Sequence, residues 1–141
     1  MKLCYRQAAV KDIPVIFELS KDLIHTYEDL SAIDYEKVMK WVEMKITENI
    51  STYTVATRDS EACAYYRLCE DGELDDLYVL PNFRGQGIGT EILRKCIADS
   101  VAPLWLFVFT RNIRAIAFYE RFGFTCRETV GNTRMILEQK G

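Results

Sequence analysis

Histidine is nearly absent from this sequence, and so are the other signs of a metal or redox centre. His25 is the only histidine among 141 residues, and the five cysteines include no C-x-x-C pair. Structural zinc sites are usually built from several cysteine and histidine ligands. An odd number of cysteines also cannot form a complete set of disulfides. We therefore predict that the protein has no metal site.

Long apolar runs and an excess of one charge are missing as well. No segment approaches the roughly 20 apolar residues of a membrane-spanning helix, and the first residues do not open a signal peptide. The net charge of -3 at pH 7 argues against a nucleic-acid binder that relies on a basic surface. These absences predict a cytoplasmic protein that binds neither membranes nor nucleic acids.

The composition is that of a folded protein. Hydrophobic residues make up 49% of the chain and aromatic residues 12%, which is far from the composition of disordered segments. The length suits one domain with its own core, and the chain contains no repeat or linker. We predict a single domain over residues 1–141.

Periodic apolar patterns divide the chain into helices and strands. Asp12 and Asn112 are suitable N-cap residues. The apolar run at 104–109 is typical of a strand buried on both faces. It follows the strand at 73–80 and an intervening helix, an order that predicts one parallel βαβ unit. The predicted helices lie at about 12–27, 34–48, 88–99 and 113–122, and the predicted strands at 3–8, 51–57, 62–69, 73–80, 104–109, 124–130 and 133–137.

The segment from Leu77 to Thr90 contains the most specific pattern. A strand ends at Pro81, and Gly85, Gly87 and Gly89 then lead into a helix. Glycine allows a close approach of a ligand to the backbone, and the N–H groups at a helix N-terminus bind anions. Neither the P-loop pattern nor the G-x-G-x-x-G dinucleotide pattern fits. The sequence therefore predicts a site for phosphate or pyrophosphate, and the alternative is a tight turn without a ligand.

This segment resembles the acetyl-CoA-binding motif of the GNAT superfamily of N-acetyltransferases, L-x-V-x-P-x-x-R-G-x-G-x-[GA]. A second stretch, from Asn112 to Phe124, is similar to the family's other cofactor motif. The resemblance implies a GNAT-like α/β fold, with a mixed, mostly antiparallel central sheet of six to seven strands flanked by about four helices. It also implies an enzyme that uses acetyl-CoA, and some members of the family are dimers.

The resemblance assigns the cofactor contacts residue by residue. Amides of the glycine turn hold the pyrophosphate in the family, and the backbone near Leu77 and Val79 pairs with the pantetheine arm. Asn112 is equally well explained as a helix cap, and Phe118 as a packing residue. The implied cofactor-binding residues are Leu77, Tyr78, Val79, Arg84, Gly85, Gln86, Gly87, Ile88, Gly89, Thr90, Asn112, Ala115, Phe118 and Tyr119.

Acetyl transfer to an amine requires a base, an oxyanion donor and a donor for the leaving thiolate. The family resemblance gives Tyr119 the role of the acid, and a phenol with a pKa of about 10 is protonated at pH 7. Glu73 is the first candidate base and Asp75 the second, both on one face of their strand, with Asp76 on the other. A chain of water molecules is the alternative base, and an N–H near Val79 is the candidate oxyanion donor.

The acceptor is the least explicit part of the prediction. Acidic residues cluster between Glu70 and Asp76 with no basic residue among them, and the first two helices, which border the acceptor site in the family, are also acidic. This pattern favours a cationic amine, although such clusters are usually solvated surface. The substrate is predicted to be a small-molecule or peptide amine. Two other readings remain open, a non-catalytic module that senses acyl-CoA and a regulator that binds ATP or NAD.

Overall fold

The computed structural model describes residues 2–130 and 132–137, and within them seven strands alternate with four helices. The predicted class, a mixed α/β fold with mostly antiparallel strands, is confirmed. In chain order the elements are β1 (Cys4–Gln7), α1 (Ile13–Tyr27), α2 (Tyr35–Glu48), β2 (Thr54–Arg58), β3 (Glu61–Leu68), β4 (Leu74–Val79), α3 (Ile88–Asp99), β5 (Trp105–Phe109), α4 (Ile113–Glu120), β6 (Thr125–Val130) and β7 (Asn132–Ile136).

The strands form two antiparallel sheets instead of one continuous sheet. The first has the order β1-β2-β3-β4 and the second β5-β7-β6. In the described residues, a single parallel bridge between Glu73 and Trp105 joins them, next to a hydrogen bond from Trp105 N–H to Gly72 O at 3.0 Å. The predicted parallel arrangement of β4 and β5 is therefore present only at their first residues. Beyond that bridge the two strands separate, and a cleft opens between them.

Side-chain caps begin two of the helices, and the cap at Asn112 was predicted. The Asp34 carboxylate accepts from Lys37 N–H at 3.3 Å at the start of α2, and Asn112 Oδ1 accepts from Ala115 N–H at 3.1 Å at the start of α4. Asp12 is different, because its carboxylate accepts from Ala9 N–H and pairs with Arg6 instead of capping α1. The prediction of a cap at Asp12 was wrong because this long-range ion pair takes up the carboxylate.

The core lies on both faces of the sheets. One cluster packs beneath α3 and α4 and includes Ile92 and Leu106, and the other packs beneath α1 and α2 and includes Ile16 and Ile46. The prediction that β5 is buried on both faces was wrong, since Phe107 between two buried residues is 50% exposed. The face of β5 that bears Phe107 borders an open cavity between α2 and the strand.

Two element boundaries also differ from the predictions for local reasons. β2 begins at Thr54 because Ile50–Thr52 form a 3-10 turn, and α4 ends at Glu120 because the chain turns back at Gly123, with a φ of +95°. None of the described helices combines the length and the apolar character that a membrane-spanning helix needs.

Candidate active site

The turn after β4 has the backbone conformation for which glycine is required. Gly85 and Gly87 have φ values of +77° and +81°, in the left-handed region that other residues avoid. A Cβ built on either residue meets no atom within 4 Å, so the backbone angle and not lack of space demands glycine. Gly89 lies inside the first turn of α3, where a Cβ would make ordinary contacts with Phe118 at 3.7 Å and Val79 at 3.8 Å.

The helix that follows this turn presents unpaired amides. Gly87 is the N-cap of α3, and the first helical hydrogen bond runs from Glu91 N–H to Gly87 O at 3.1 Å. The N–H groups of Ile88, Gly89 and Thr90 therefore precede the first hydrogen bond of the helix and have no acceptor within it. The helix dipole adds partial positive charge at the same point. Together these features are suited to an anion, which is the ligand that the sequence predicts for this turn.

Two arginines flank the turn. Arg84 Nε donates to Val79 O at 3.0 Å, which fixes the side chain against the end of β4. Arg58, from the end of β2, donates to Gln86 Oε1 at 2.6 Å and lies 4.9 Å from the centre of the Phe83 ring. Sequence reasoning missed Arg58 because nothing local connects β2 to the turn, and only the pairing of β2, β3 and β4 brings them together.

The edge of β4 that faces the cleft is open. Leu80 N–H donates to Cys63 O at 2.9 Å, toward β3. Because backbone groups alternate along a strand, Tyr78 also faces β3, whereas Leu77 and Val79 direct their N–H and C=O groups toward the cleft. Val79 O is occupied by Arg84. An extended ligand with amide groups is suited to pair with such an edge.

A cavity of about 310 Å³ lies where β4 and β5 separate, and α1, α2 and α4 complete its walls. It brings together Asn112 and Tyr119 of the second motif with Asp75 and Leu77 of β4. A second cavity shares Leu23, Leu77 and Tyr78 with the first and extends to Val79, Pro81, Arg84 and Arg114. The two cavities thus adjoin at these shared residues and together extend from Arg84, at the start of the glycine turn, to Tyr119.

Tyr119 is held by aromatic contacts in the first of these cavities. Its ring packs edge to face against Phe118 and Phe124, with centroid distances of 5.2 and 5.4 Å. Burial raises the pKa of Tyr119 far above its usual value, and the negative charge of Asp76 raises it further. The phenol is therefore protonated throughout the neutral range and can act as a donor.

Asp75 and Asp76 both form ion pairs with cations. Simple strand alternation would instead place these two neighbouring side chains on opposite faces of β4. Lys45 Nζ lies 3.1 Å from a carboxylate oxygen of each aspartate, and Arg67 lies 2.7 Å from Asp75. Both aspartates reach Lys45 because the β3–β4 pairing contains a bulge next to Arg67, where the alternation of faces is lost. The prediction that they lie on opposite faces was therefore wrong.

Asp76 is also the acceptor for two buried phenols, those of Tyr53 and Tyr78. Burial alone would lower the pKa of Lys45, but the charges of Asp76 and Asp75 outweigh it and raise the pKa. The ammonium is thus a permanent part of the cavity floor. No local sequence pattern assigns Lys45 to β4.

Glu73 lies apart from the cavity. Its carboxylate clusters with Cys69 and Asp71, with one ligand atom from each residue lying within 4.8 Å of the others. Burial raises the pKa of Glu73, and the charges of Asp75 and Asp71 raise it further. Of the two carboxylates predicted as the base, only Asp75 lines the cavity that contains Tyr119.

Several other predicted residues have roles in packing. The Ile88 side chain is buried in the core beneath α3, and the Tyr78 side chain packs in the core beneath α1 and α2. Only the backbone of these two residues is therefore available to a ligand near the turn. Ala115 and Phe118 also pack against the core, while Ala115 borders the cavity as well.

Comparison with known proteins places the chain among acetyltransferases. Residues 16–124 match the model of the acetyltransferase (GNAT) family. An uncharacterised N-acetyltransferase of Methanocaldococcus jannaschii is 39% identical over 74 residues, which cover 48% of this chain and 32% of the relative. One of Archaeoglobus fulgidus is 30% identical over 102 residues, covering 61% of this chain and 66% of the relative. The chain thus spans about a third of the first relative and just under two thirds of the second.

The fold has close counterparts among solved structures. The PaiA N-acetyltransferase of Thermoplasma acidophilum, solved in complex with coenzyme A, superimposes with a TM-score of 0.72 over 99% of this chain and 100% of that one. The sequences are 18% identical. This similarity shows that the two chains share a fold from end to end.

Proposed function

Since the chain belongs to the acetyltransferase (GNAT) family, we propose that it transfers an acetyl group from acetyl-CoA to a primary amine of a small molecule or peptide. The observation that carries the proposal is the pair of adjoining cavities that extends from Arg84, at the start of the glycine turn, past the open edge of β4 to Tyr119. The acceptor amine attacks the thioester directly in this mechanism, through a tetrahedral intermediate.

The described residues suit the two parts of coenzyme A. The left-handed turn and the N–H groups of Ile88, Gly89 and Thr90 fit a pyrophosphate, with Arg84 beside them. The open edge at Leu77 and Val79 fits the amides of the pantetheine arm. The coenzyme A complex of the T. acidophilum protein of the same fold supports this assignment.

The thioester supplies an activated acyl group, and two groups of this chain act on it. A cleft-facing N–H of β4 near Val79, that of Leu77 in the cavity that contains Tyr119, stabilises the negative charge that develops on the carbonyl oxygen. The Tyr119 phenol, which remains protonated, donates to the leaving sulfur. Because the phenol holds its proton firmly, we assign it first the role of a hydrogen-bond donor to the thiolate.

Water is the favoured route for the proton that leaves the amine. Glu73 does not line the cavity, and the Asp75 carboxylate is shared between Lys45 and Arg67. At pH 7, only about one in two thousand molecules of an amine with a pKa of about 10.4 is neutral. We therefore expect the rate at subsaturating amine to rise about tenfold per pH unit between pH 6 and 9.

An amine panel tests the proposed reaction. The full-length chain is incubated with acetyl-CoA and each of a set of primary amines, and release of free thiol is measured against a control without amine. We expect amine-dependent thiol release with at least one acceptor. Tight binding of coenzyme A without thiol release from any amine would instead identify a non-catalytic sensor of acyl-CoA.

A titration tests the cofactor independently of turnover. We expect coenzyme A to bind much more tightly than ATP or NAD, because only coenzyme A has a pantetheine arm for the edge of β4. Equal affinity for the three ligands would contradict the assignment of the two cavities to acetyl-CoA.

A further inference from the structure

The negative charges at the floor of the first cavity are balanced by positively charged side chains. Asp75 and Asp76 are the only carboxylates among its described lining residues, and they are paired with Lys45 and Arg67. Lys45 also lines the cavity, and its ammonium lies 3.1 Å from a carboxylate oxygen of each of these lining aspartates. The acidic cluster that favoured a cationic acceptor in the sequence thus leaves no excess negative charge here, and a second ammonium group on the acceptor would meet the one on Lys45.

Aromatic side chains form the opposite wall. Phe107 and Phe109 lie on the same face of β5 and both line the cavity. Phe109 stacks on Tyr27 of α1 at a centroid distance of 6.4 Å, whereas Phe107 keeps half of its surface exposed. The β5 side of the cavity is therefore an apolar surface that is only partly covered by the protein itself.

A second exposed aromatic residue faces the same space from α2. Trp41 lies one helical turn before Lys45, so the two share a face of the helix, and both line the cavity. The Trp41 side chain is 63% exposed. A single exposed aromatic residue is ordinary, but Trp41 and Phe107 border one cavity next to the proposed reaction centre. Flat apolar groups bind well between such side chains.

We propose that the acceptor is a primary monoamine with an apolar, aromatic body, which binds between Trp41 and Phe107, and not a polyamine. The inference rests on the proposed function and specifies its acceptor class. The amine group then points toward Tyr119, while the aromatic body covers the exposed surfaces of the two side chains. Because the charges at the floor of the cavity balance, the floor does not attract a second cation on the acceptor, and it does not repel an apolar group.

A comparison of two amines of similar length tests the inference. The value of kcat/KM for acetylation of 2-phenylethylamine is measured against that for 1,5-diaminopentane with the full chain. We expect a preference of at least about tenfold for 2-phenylethylamine. Trp41→Ala should remove most of this preference, whereas Met44→Ala, a change of another exposed apolar residue of α2 outside the cavity lining, should retain it.

Binding measurements separate this inference from the proposed reaction. Calorimetric titration of 2-phenylethylamine into the protein without acetyl-CoA should detect binding that Trp41→Ala weakens about tenfold and Met44→Ala leaves unchanged. Equal or tighter binding of 1,5-diaminopentane, no binding of 2-phenylethylamine, or identical behaviour of the two variants would overturn the inference. Thiol release that favours 1,5-diaminopentane would overturn it while leaving the acetyltransferase function intact.

Discussion

Tyr119 is the side chain on which the proposed chemistry depends most directly. Replacing it by phenylalanine removes the donor but keeps the ring that packs against Phe118 and Phe124. We expect Tyr119→Phe to lower kcat about 100-fold for every accepted amine, with little change in coenzyme A affinity. Tyr27→Phe, at a tyrosine that lines the second cavity but not the one with Tyr119, is the control and should retain activity. Unchanged acetylation by Tyr119→Phe would remove this residue from the mechanism.

Glu73 gives a prediction about the pH dependence of stability. Its folded-state pKa is raised by burial and by neighbouring carboxylates. The favourable contribution of Glu73 to the free energy of unfolding is therefore complete below its unfolded pKa of about 4.3. That contribution is lost as the pH rises through the folded pKa. Glu73→Gln should therefore raise the free energy of unfolding at pH 7 relative to the wild type, and the gain should disappear near pH 4. Urea unfolding at both pH values measures it.

The exposed Glu70 offers a matched control for this change. Glu70→Gln should alter the unfolding free energy much less than Glu73→Gln at pH 7. The same Glu73→Gln variant tests the base, since we expect its kcat/KM to stay within about threefold of the wild type if water removes the amine proton. If Glu73→Gln instead lowered kcat/KM about 100-fold at neutral pH, Glu73 would be identified as the base.

The glycine turn is the element that decides cofactor binding. Gly87→Ala forces a side chain into the left-handed region and should cost about 1 kcal/mol of stability. Because the turn must also shift, the Kd for coenzyme A should rise at least about tenfold. Gly89→Ala is the matched control, since its Cβ makes only ordinary contacts at 3.7 and 3.8 Å. Calorimetric titration of the two variants with coenzyme A should separate them, and equal affinities would contradict the role of the turn.

The contact between α2 and β4 depends on one ammonium group. Lys45→Met removes this ammonium from Asp75 and Asp76. We expect the free energy of unfolding to fall by about 2 kcal/mol at pH 7, which is less than for a fully buried pair. The pKa of Lys45 is raised, so its contribution is complete below about pH 10.4 and falls as the pH rises through the folded pKa. Lys40→Met, at an exposed position of the same helix, should change stability little. Equal urea midpoints for the two variants would contradict this account.

The whole molecule should unfold in one transition, and coenzyme A should raise the midpoint of that transition as a whole. The two sheets border the same cleft and share a core, so we expect residues 1–141 to unfold in a single thermal transition. A ligand at 100 times its Kd adds about 2.7 kcal/mol, which should raise the midpoint by roughly 5 to 10 °C. Two separate transitions, or a shift of only part of one, would contradict a single domain.

The sequence by itself determined the features that depend on a few neighbouring residues. Apolar periodicity placed α1 and α2 to within about a residue, Asn112 marked the start of α4, and the spaced glycines indicated the tight turn before α3. These signals are local because a cap or a left-handed turn is formed by residues only a few positions apart.

Only the tertiary structure decided which distant groups meet. The pairing of Asp75 with Lys45, the position of Arg58 beside Gln86 and the half-exposed face of Phe107 all depend on strand pairing and helix packing. The β3–β4 bulge adds a change of face that alternation cannot foresee. The tertiary structure therefore corrected the assignment of the acidic cluster, because Asp75 and Asp76, its two members that line the cavity, are compensated by residues from two other elements.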